Sequence, residues 1–404
     1  MLQHVDRVVV LVASKDGAAT IGRTVASAVT QADVYVVSDG STDDTAQTAQ
    51  AAGATVLDLD VNVGKPAAVY RAVNAFELLD RYVAVLIIDD DTTVAPDFVR
   101  QSLRRMVVNR RALVPETPYT GHERRLAERR THPFTPDTER RATPVGIVVG
   151  RTITDWDHRR RWNMWVGSRA YAYWRYQATI RRGQDRVNAL NCISGSNSIY
   201  LSPLLRDVLV EQTPYIVDDT YWLLETQRRG LGRVVYAPEA HAWIQDPTNL
   251  RDWYKQNLRW LWGTFQGVAG HRVGRRRSWF DFWYVTLIVD WAMYVLLWPV
   301  LLALLLVNDW VEPGTVGVSV LAGYGLWTAA AACALRKWRL VALTPAIMAI
   351  DVLYRAIFIH ALVKTVRHPT VTSCRWDSPT RYQSVSELAD ASSDVSHLRE
   401  EVFT

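Results

Sequence analysis

Three groups of residues in this 404-residue chain carry the makings of polar chemistry. In IIDDDT (87–92), three aspartates directly follow an apolar run. Extended backbone puts Asp89 and Asp91 on one side and Asp90 on the other. Two carboxylates fixed at a strand end suit a hard divalent cation, Mg²⁺ or Mn²⁺, which in turn holds phosphate oxygens. Alone, the triplet reads first as a surface turn or a helix cap before PDFV. The second group, Asp218 and Asp219 in YIVDDTYW, stands where a helix begins. A carboxylate there can take a proton from a hydroxyl, or simply cap the helix. The third is KQNLRWLWG (255–263), in which Gln256, Arg259 and Trp260 fall at i, i+3 and i+4 and share one helix side. Lipid rejects Gln and Arg, and water is a poor place for Trp, so that side faces neither.

The elements that must hold these groups follow from periodicity. Residues 1–105 alternate β-branched runs (VVVLVA, VYVVSDG, ATVLDLD, VAVLIIDDD) with amphipathic stretches at 20–30, after STDDT, and at 66–79. That alternation predicts a parallel sheet wrapped by helices. Ligands collect at the carboxyl ends of such strands, where Asp39 and the aspartate trio sit. Residues 109–142 are rich in Arg, Pro and Thr and read as an insertion. A strand at GIVVG (146–150), a helix over about 158–182, a polar loop ISGSNS (193–198), a helix through Asp219 to Arg229, a strand VVYAP and an amphipathic helix over 248–270 complete the series.

The last third is different. The 17 residues 291–307 and the 22 residues 314–335 carry no charge; at about 1.5 Å per residue the longer run reaches about 33 Å. Two membrane spans are expected, near 287–307 and 314–335. Arg272 and Arg275–Arg277 before the first, and Arg336, Lys337 and Arg339 after the second, put both flanks on the cytoplasmic side. A third segment, 340–363, contains Asp351, Arg355 and His360; it is expected to be interfacial or re-entrant, with Asp351 and Arg355 paired at i, i+4, the alternative being a third span. The net charge of +5 comes from 46 basic residues, only five of them Lys. Their position beside Trp-rich and apolar runs points to anionic lipid rather than nucleic acid as partner. The first apolar run is short and β-branched, unlike a signal peptide, and the three cysteines form no CxxC pair, so neither disulfides nor zinc are expected.

Six motifs occur in order: VVSDGSTDDT (36–45), NVGKPAA (62–68), IIDDDT, SGSNSIY (194–200), VDDTYWLLETQRRG (217–230) and QNLRW (256–260). With apolar spans after the last, the chain resembles the membrane-embedded branch of the family 2 inverting glycosyltransferases, which includes cellulose, chitin and hyaluronan synthases. The resemblance implies a GT-A-type, Rossmann-like mixed α/β sheet with helices on both faces over 1–245. Interface helices carrying the Q-x-x-R-W motif would follow over 246–282, a membrane region over 283–367 and a cytoplasmic tail over 368–404. By matching motif, Asp39 takes the base-recognition position, Lys65 the basic position after the Asn–Gly motif, and Asp89 and Asp91 the D-x-D pair, with Asp91 the usual metal ligand. Asp219 takes the general-base position. Gln256 and Arg259 would steady the diphosphate, and Trp260 would stack on the acceptor sugar, as suits a guanidinium and an aromatic face. Gly195 and Ser196 belong to the acceptor side of the pocket.

There are departures: ASKDG (13–17) stands where a proline and Asn–Glu are usual, Ser38 replaces the first of paired aspartates, and Asp218 replaces a glutamate. These leave the nucleotide's base open. The tail segment TVTSCRWDSPTR (370–381) matches either a loop that closes over the nucleotide or an unstructured tail, and His241 either approaches the metal or is structural. The implied function is transfer of a sugar, from a UDP-sugar first of all, to a saccharide acceptor at the cytoplasmic face of the cell membrane by a multi-pass enzyme, with a homo-oligomer as a candidate assembly. The alternatives are addition of one sugar to a lipid-phosphate carrier, and a catalytically silent scaffold on the same fold.

Overall fold

A computed structural model describes residues 8–107, 144–374 and 381–382. The expected Arg-rich insertion and most of the tail lie outside the described residues. The chain begins with β1 (Val8–Ser14), α1 (Ile21–Ala28), β2 (Asp33–Asp39), α2 (Thr45–Ala51), β3 (Thr55–Leu59), α3 (Lys65–Ala75), the single turn α4 (Leu78–Arg81) and β4 (Ala84–Asp89). β3, β2, β1 and β4 lie side by side and parallel, as the alternation predicted. The runs of β1, β2 and β4 are buried on both faces, which is why they read as continuous apolar stretches, while β3 is the partly exposed edge strand. Val9, Leu11, Val85 and Ile87 pack on one face with α3; Val10, Val12, Leu86 and Ile88 pack on the other with Ile21 and Val25 of α1.

Beyond β4 the sheet turns mixed. β5 (Thr93–Val94) and α5 (Phe98–Val107) precede β6 (Val145–Thr154); then come α6 (Met164–Tyr176, continued by a π-turn at Gln177–Arg181), β7 (Ser198–Leu201), α7 (Ser202–Val208), α8 (Asp218–Arg229) and β8 (Arg233–Ile244). β7 runs antiparallel to both β4 and β6, and β8 parallel to β6. Trp222 of α8, fully buried, meets Tyr200 of β7 edge-on at 5.6 Å and locks the helix to the sheet.

Several boundaries differ from expectation for local reasons. The helix expected from 158 starts at Met164, because the Asn163 side chain accepts from the Trp165 and Val166 N–H groups and caps it there. The helix expected to reach 79 stops at Ala75, and Glu77 takes a positive φ of 51° before α4. The loop ISGSNS gives up its last residue, Ser198, to β7.

The remaining helices are α9 (Leu250–Gly270), α10 (Trp279–Val307, with a π-turn at Met293–Leu297), α11 (Pro313–Leu335), the turn α12 (Arg339–Ala342) and α13 (Thr344–Arg367). α10, α11 and α13 are each long and apolar enough to cross a membrane. Outward-facing Trp298, Val307, Val318 and Leu326 are more than half exposed. Surface of that kind and extent fits lipid. α13 packs along α9, with Ile350, Ile357 and Phe358 against Trp253, Trp262 and Phe265. Its N-terminal end meets the α/β domain, where Leu343 and Ile347 join Trp156 and Val166; at its C-terminal end the His368 carbonyl accepts from Trp262 Nε1 at 3.2 Å and Gln266 Nε2 at 2.9 Å of α9. The expected Asp351–Arg355 pair does not form. Asp351 accepts from the hydroxyls of Tyr294 (2.8 Å) and Tyr324, and the Arg355 guanidinium lies over the Tyr294 ring.

Candidate active site

β2 ends at Asp39, and Gly40 follows with a φ of 61°. A Cβ there would overlap the Val61–Asn62 backbone, so the close approach needs glycine. Asp39 is buried, and its carboxylate accepts from the Val63 N–H (2.7 Å) and the Gly64 N–H (2.9 Å). It thereby fixes the NVGK turn and presents Lys65 as the first residue of α3. Lys65 Nζ donates to Asp89 and to the Gly195 carbonyl at 3.3 Å. Burial would lower the ammonium's pKa, but Asp89, Asp218 and Asp219 together raise it.

The aspartate trio is not arranged as simple alternation predicts. The strand ends at Asp89, and a turn closed by the Thr92 N–H on the Asp89 carbonyl (3.1 Å) redirects the next two side chains. Asp89 meets Lys65, whereas Asp90 and Asp91 converge on one guanidinium, that of Arg381 (2.9 Å from Asp90). Asp90 also accepts from Ser14 Oγ at 2.7 Å. Burial pushes the Asp91 carboxyl up to about 7; Arg381 opposes this, and Asp89 and Asp90 add to it. Among the described residues, no three His, Cys, Asp or Glu side chains form a metal cage. The donor set still fits a hard divalent ion, which takes one or two carboxylates and completes its shell with phosphate and water. Arg381 already places positive charge at that spot.

Asp219 lies at the start of α8, where its Oδ2 accepts from the Gly195 N–H at 3.1 Å. Burial and then Asp218 raise its carboxyl to about 7, against Lys65, the Gly195 N–H and Arg259. A Cβ on Gly195 would stand 3.1 Å from Lys65 Nζ, so glycine keeps this corner open. Ser196 is buried, and its hydroxyl pairs with that of Ser194 at 2.7 Å; it shapes the loop.

From α9, Arg259 reaches the same corner. Burial, the largest influence, lowers its pKa, while Asp89, Asp218 and Asp219 raise it. Its Nε is buried with no hydrogen-bond partner in the protein. Gln256 sits about one turn before Arg259, and Trp260 directly after it, on the same side. The Gln256 Oε1 accepts from Arg169 Nη2 at 3.0 Å, and the Arg169 guanidinium lies 4.8 Å from the Trp260 ring centroid.

Sequence reasoning thus found Asp39, Lys65, Asp89, Asp91, Gly195, Asp219 and Arg259, which the fold gathers at the carboxyl ends of β2 and β4 and the facing helices. It missed Arg169, which no motif marks, and Asp246. Arg381 belongs to the tail segment singled out above. The described residues at its two ends lie against the domain: the Val371 N–H donates to the Pro214 carbonyl at 2.9 Å, and Tyr382, next to Arg381, exchanges two hydrogen bonds with the Gln245 side chain. His241 sits within β8, edge-on to Trp243, with its pKa lowered by burial and by Arg151.

This architecture is a GT-A-like mixed α/β fold followed by apolar helices. Residues 9–209 match the family model for glycosyl transferase family 2. Residues 9–209 therefore carry a family 2 glycosyltransferase fold, and the match supports glycosyltransferase activity. Among curated proteins it is similar to poly-β-1,6-N-acetyl-D-glucosamine synthase of Staphylococcus epidermidis, 29% identical over 120 residues, or 29% of this chain and 26% of that one. The same-named synthase of Staphylococcus aureus strain COL is 29% identical over 126 residues, 31% of this chain and 28% of that one. The matched stretch thus spans about a quarter of those relatives. Among solved structures it is similar to the mannosyltransferase PcManGT of Pyrobaculum calidifontis in complex with GDP-Man and Mn²⁺ (16% identity, TM-score 0.48, 89% of this chain and 87% of that one). Another is glucosyl-3-phosphoglycerate synthase of Mycobacterium tuberculosis with Mn²⁺ and UDP-glucose (19% identity, TM-score 0.34, 61% and 72%).

Proposed function

We propose that the chain is a membrane-bound inverting transferase that moves a sugar from a nucleotide-sugar donor, of the UDP-sugar class, to a saccharide acceptor. One observation carries the reading. A buried carboxyl poised at about 7, Asp219, shares a corner with the guanidinium of Arg259, whose buried Nε has no hydrogen-bond partner in the protein, and with Lys65. A base beside a cationic anion site is what a single displacement needs. Asp219 takes the proton of the acceptor hydroxyl as its oxygen bonds to the anomeric carbon. The bond from that carbon to the nucleoside diphosphate breaks on the opposite side, inverting the centre. Arg259 and Lys65 offset the charge that grows on the departing diphosphate, and the Gln256 amide donates to it. Trp260 offers its ring to the acceptor sugar, and Gly195 leaves room for it. Asp39 shapes the base subsite through the turn it anchors. A Mg²⁺ or Mn²⁺ held by Asp91 and Asp89 would add positive charge beside the same diphosphate.

The spanning arrangement belongs to this proposal too. α10 and α11 cross the membrane, α13 lies along its inner surface, and the site faces the cytoplasm. Support comes from Arg272 and Arg275–Arg277 beside the base of α10, and from the contacts at the two ends of α13, with the α/β domain at one and with α9 at the other. The partial likeness to poly-β-1,6-N-acetyl-D-glucosamine synthases supports an acceptor that is itself a saccharide.

The test is to incubate the purified full chain with radiolabelled nucleotide sugars and Mn²⁺ or Mg²⁺, and to size the products by gel. Extension of a saccharide from one donor is expected. A single-sugar product that partitions into organic solvent would replace the saccharide acceptor with a lipid carrier, and failure to turn over any donor would overturn the proposal.

A further inference from the structure

Arg169, on α6, is one of the most deeply buried cations in the described chain, with its side chain 3% exposed. A guanidinium so placed needs compensation from every side, or it destabilises the fold. It finds partners on three elements. Nε lies 3.3 Å from Asp246, just after β8. Nη1 donates to Asn257 of α9 at 3.0 Å and to the Tyr354 hydroxyl of α13 at 3.2 Å. Nη2 donates to Gln256 at 3.0 Å. Its flat face covers Trp260 at 4.8 Å. Tyr354 in turn donates to Asn257 at 2.8 Å.

Two consequences follow from bond chemistry. A guanidinium has only donors, so the Gln256 side chain must turn its carbonyl oxygen toward Arg169 and its NH₂ group away from it. The group left to meet a ligand on Gln256 is therefore a donor, the kind a diphosphate oxygen accepts. For Trp260, cation–π contact occupies one face of the indole and leaves the other for a second flat or apolar surface. Arg169 thus sets the orientation of two of the three residues on the polar side of α9, and does so while tied to α13.

We propose that Arg169 is a positioning residue for sugar transfer: braced by Tyr354 of the membrane-packed helix, it orients the Gln256 amide and backs the Trp260 ring. The inference rests on the transferase reading of Gln256 and Trp260 given above. Lysine at 169 would keep the charge beside buried Asp246, and so the fold, but lacks the planar five-donor fork that reaches Gln256, Asn257 and Tyr354 together.

The experiment is a cycle of full-length variants, R169K, W260A and R169K/W260A, with Y354F as a milder perturbation. Acceptor kcat/KM is measured at saturating donor, and melting temperature checks the fold. R169K is expected to lower acceptor kcat/KM by about 10- to 100-fold, and Y354F by a few-fold, with melting little changed. The double variant should be no worse than the more impaired of the two single variants within about threefold, because coupled residues do not add. R169K behaving as wild type would show that Arg169 only balances charge, and would overturn the proposal. Effects of R169K and W260A that multiply would overturn it alone, leaving the role of Trp260 intact. A silent W260A would overturn the substrate role of Trp260 and this inference with it.

Discussion

The strand ends between Val8 and Asp89 and the helices α6, α9 and α13 hold their functional residues in different ways. In the first region the backbone does the placing. Asp39 and Asp89 are the last residues of parallel strands, Asp39 is tied to two backbone N–H groups, and Gly40 makes a turn that only glycine makes cheaply. In the second region side chains place one another: Gln256 and Trp260 are held by Arg169, which is held by Asp246, Asn257 and Tyr354. The charge balance differs as well. Carboxylates at the strand ends already have cations, Lys65 on Asp89 and Arg381 on Asp90 and Asp91, while Arg259 on the helix side keeps a buried Nε without a protein partner. On the proposed function, the donor half is placed by backbone and the other half depends for its alignment on packing against α13.

Substitutions can break that contrast. The largest effect outside the base itself is expected at Arg259. Arg259→Ala removes charge from the departing group and should lower kcat/KM by about 10²- to 10³-fold, with donor affinity falling too in direct binding. Trp260→Ala should raise the acceptor KM by about tenfold, near 1.4 kcal/mol, and leave donor binding unchanged. If both variants lose donor affinity equally, the two halves are not separate. On the backbone-placed side, Gly40→Ala should cost about 1–3 kcal/mol of stability, read as a lower melting temperature, with the Arg169 cluster unaffected.

The smallest and most specific effect is a pH shift. Asp219 titrates at about 7, raised by burial and then by Asp218. It must be ionised to accept a proton, so turnover should rise with pH through about 7. The stability sign is opposite. A carboxyl whose folded pKa lies above its unfolded one favours the fold when protonated, and that advantage fades as pH climbs from the unfolded pKa toward 7. Asp218→Asn removes one of the raising influences, so the rising limb of the rate profile should move to lower pH. A limb that stays put would separate the pH dependence from this carboxylate pair.

The same contrast explains what the sequence made legible. β-branched runs ending in Asp39 and Asp89 announce themselves locally, because strand, strand end and acid are contiguous. The side-by-side position of Gln256, Arg259 and Trp260 follows from helix spacing alone. β7 was opaque, since its first residue belongs to a polar Ser/Asn stretch and its pairing with β4 is distant. The trio at Asp89–Asp91 was misjudged because alternation holds only while the strand continues, and this one ends at Asp89. Arg169 could not be singled out in an Arg-rich helix, because its partners lie 77 to 185 positions away and are joined only by tertiary packing. Arg355 shows the converse: an i, i+4 acid offered the obvious partner, yet two tyrosines from other helices took it.

The central claim is that Asp219 is the base that activates the acceptor, and donor binding measured beside transfer in Asp219→Asn tests it most directly. The account predicts donor affinity close to wild type and a transfer rate lower by about 10²- to 10⁴-fold. Transfer as fast as wild type in Asp219→Asn would contradict it.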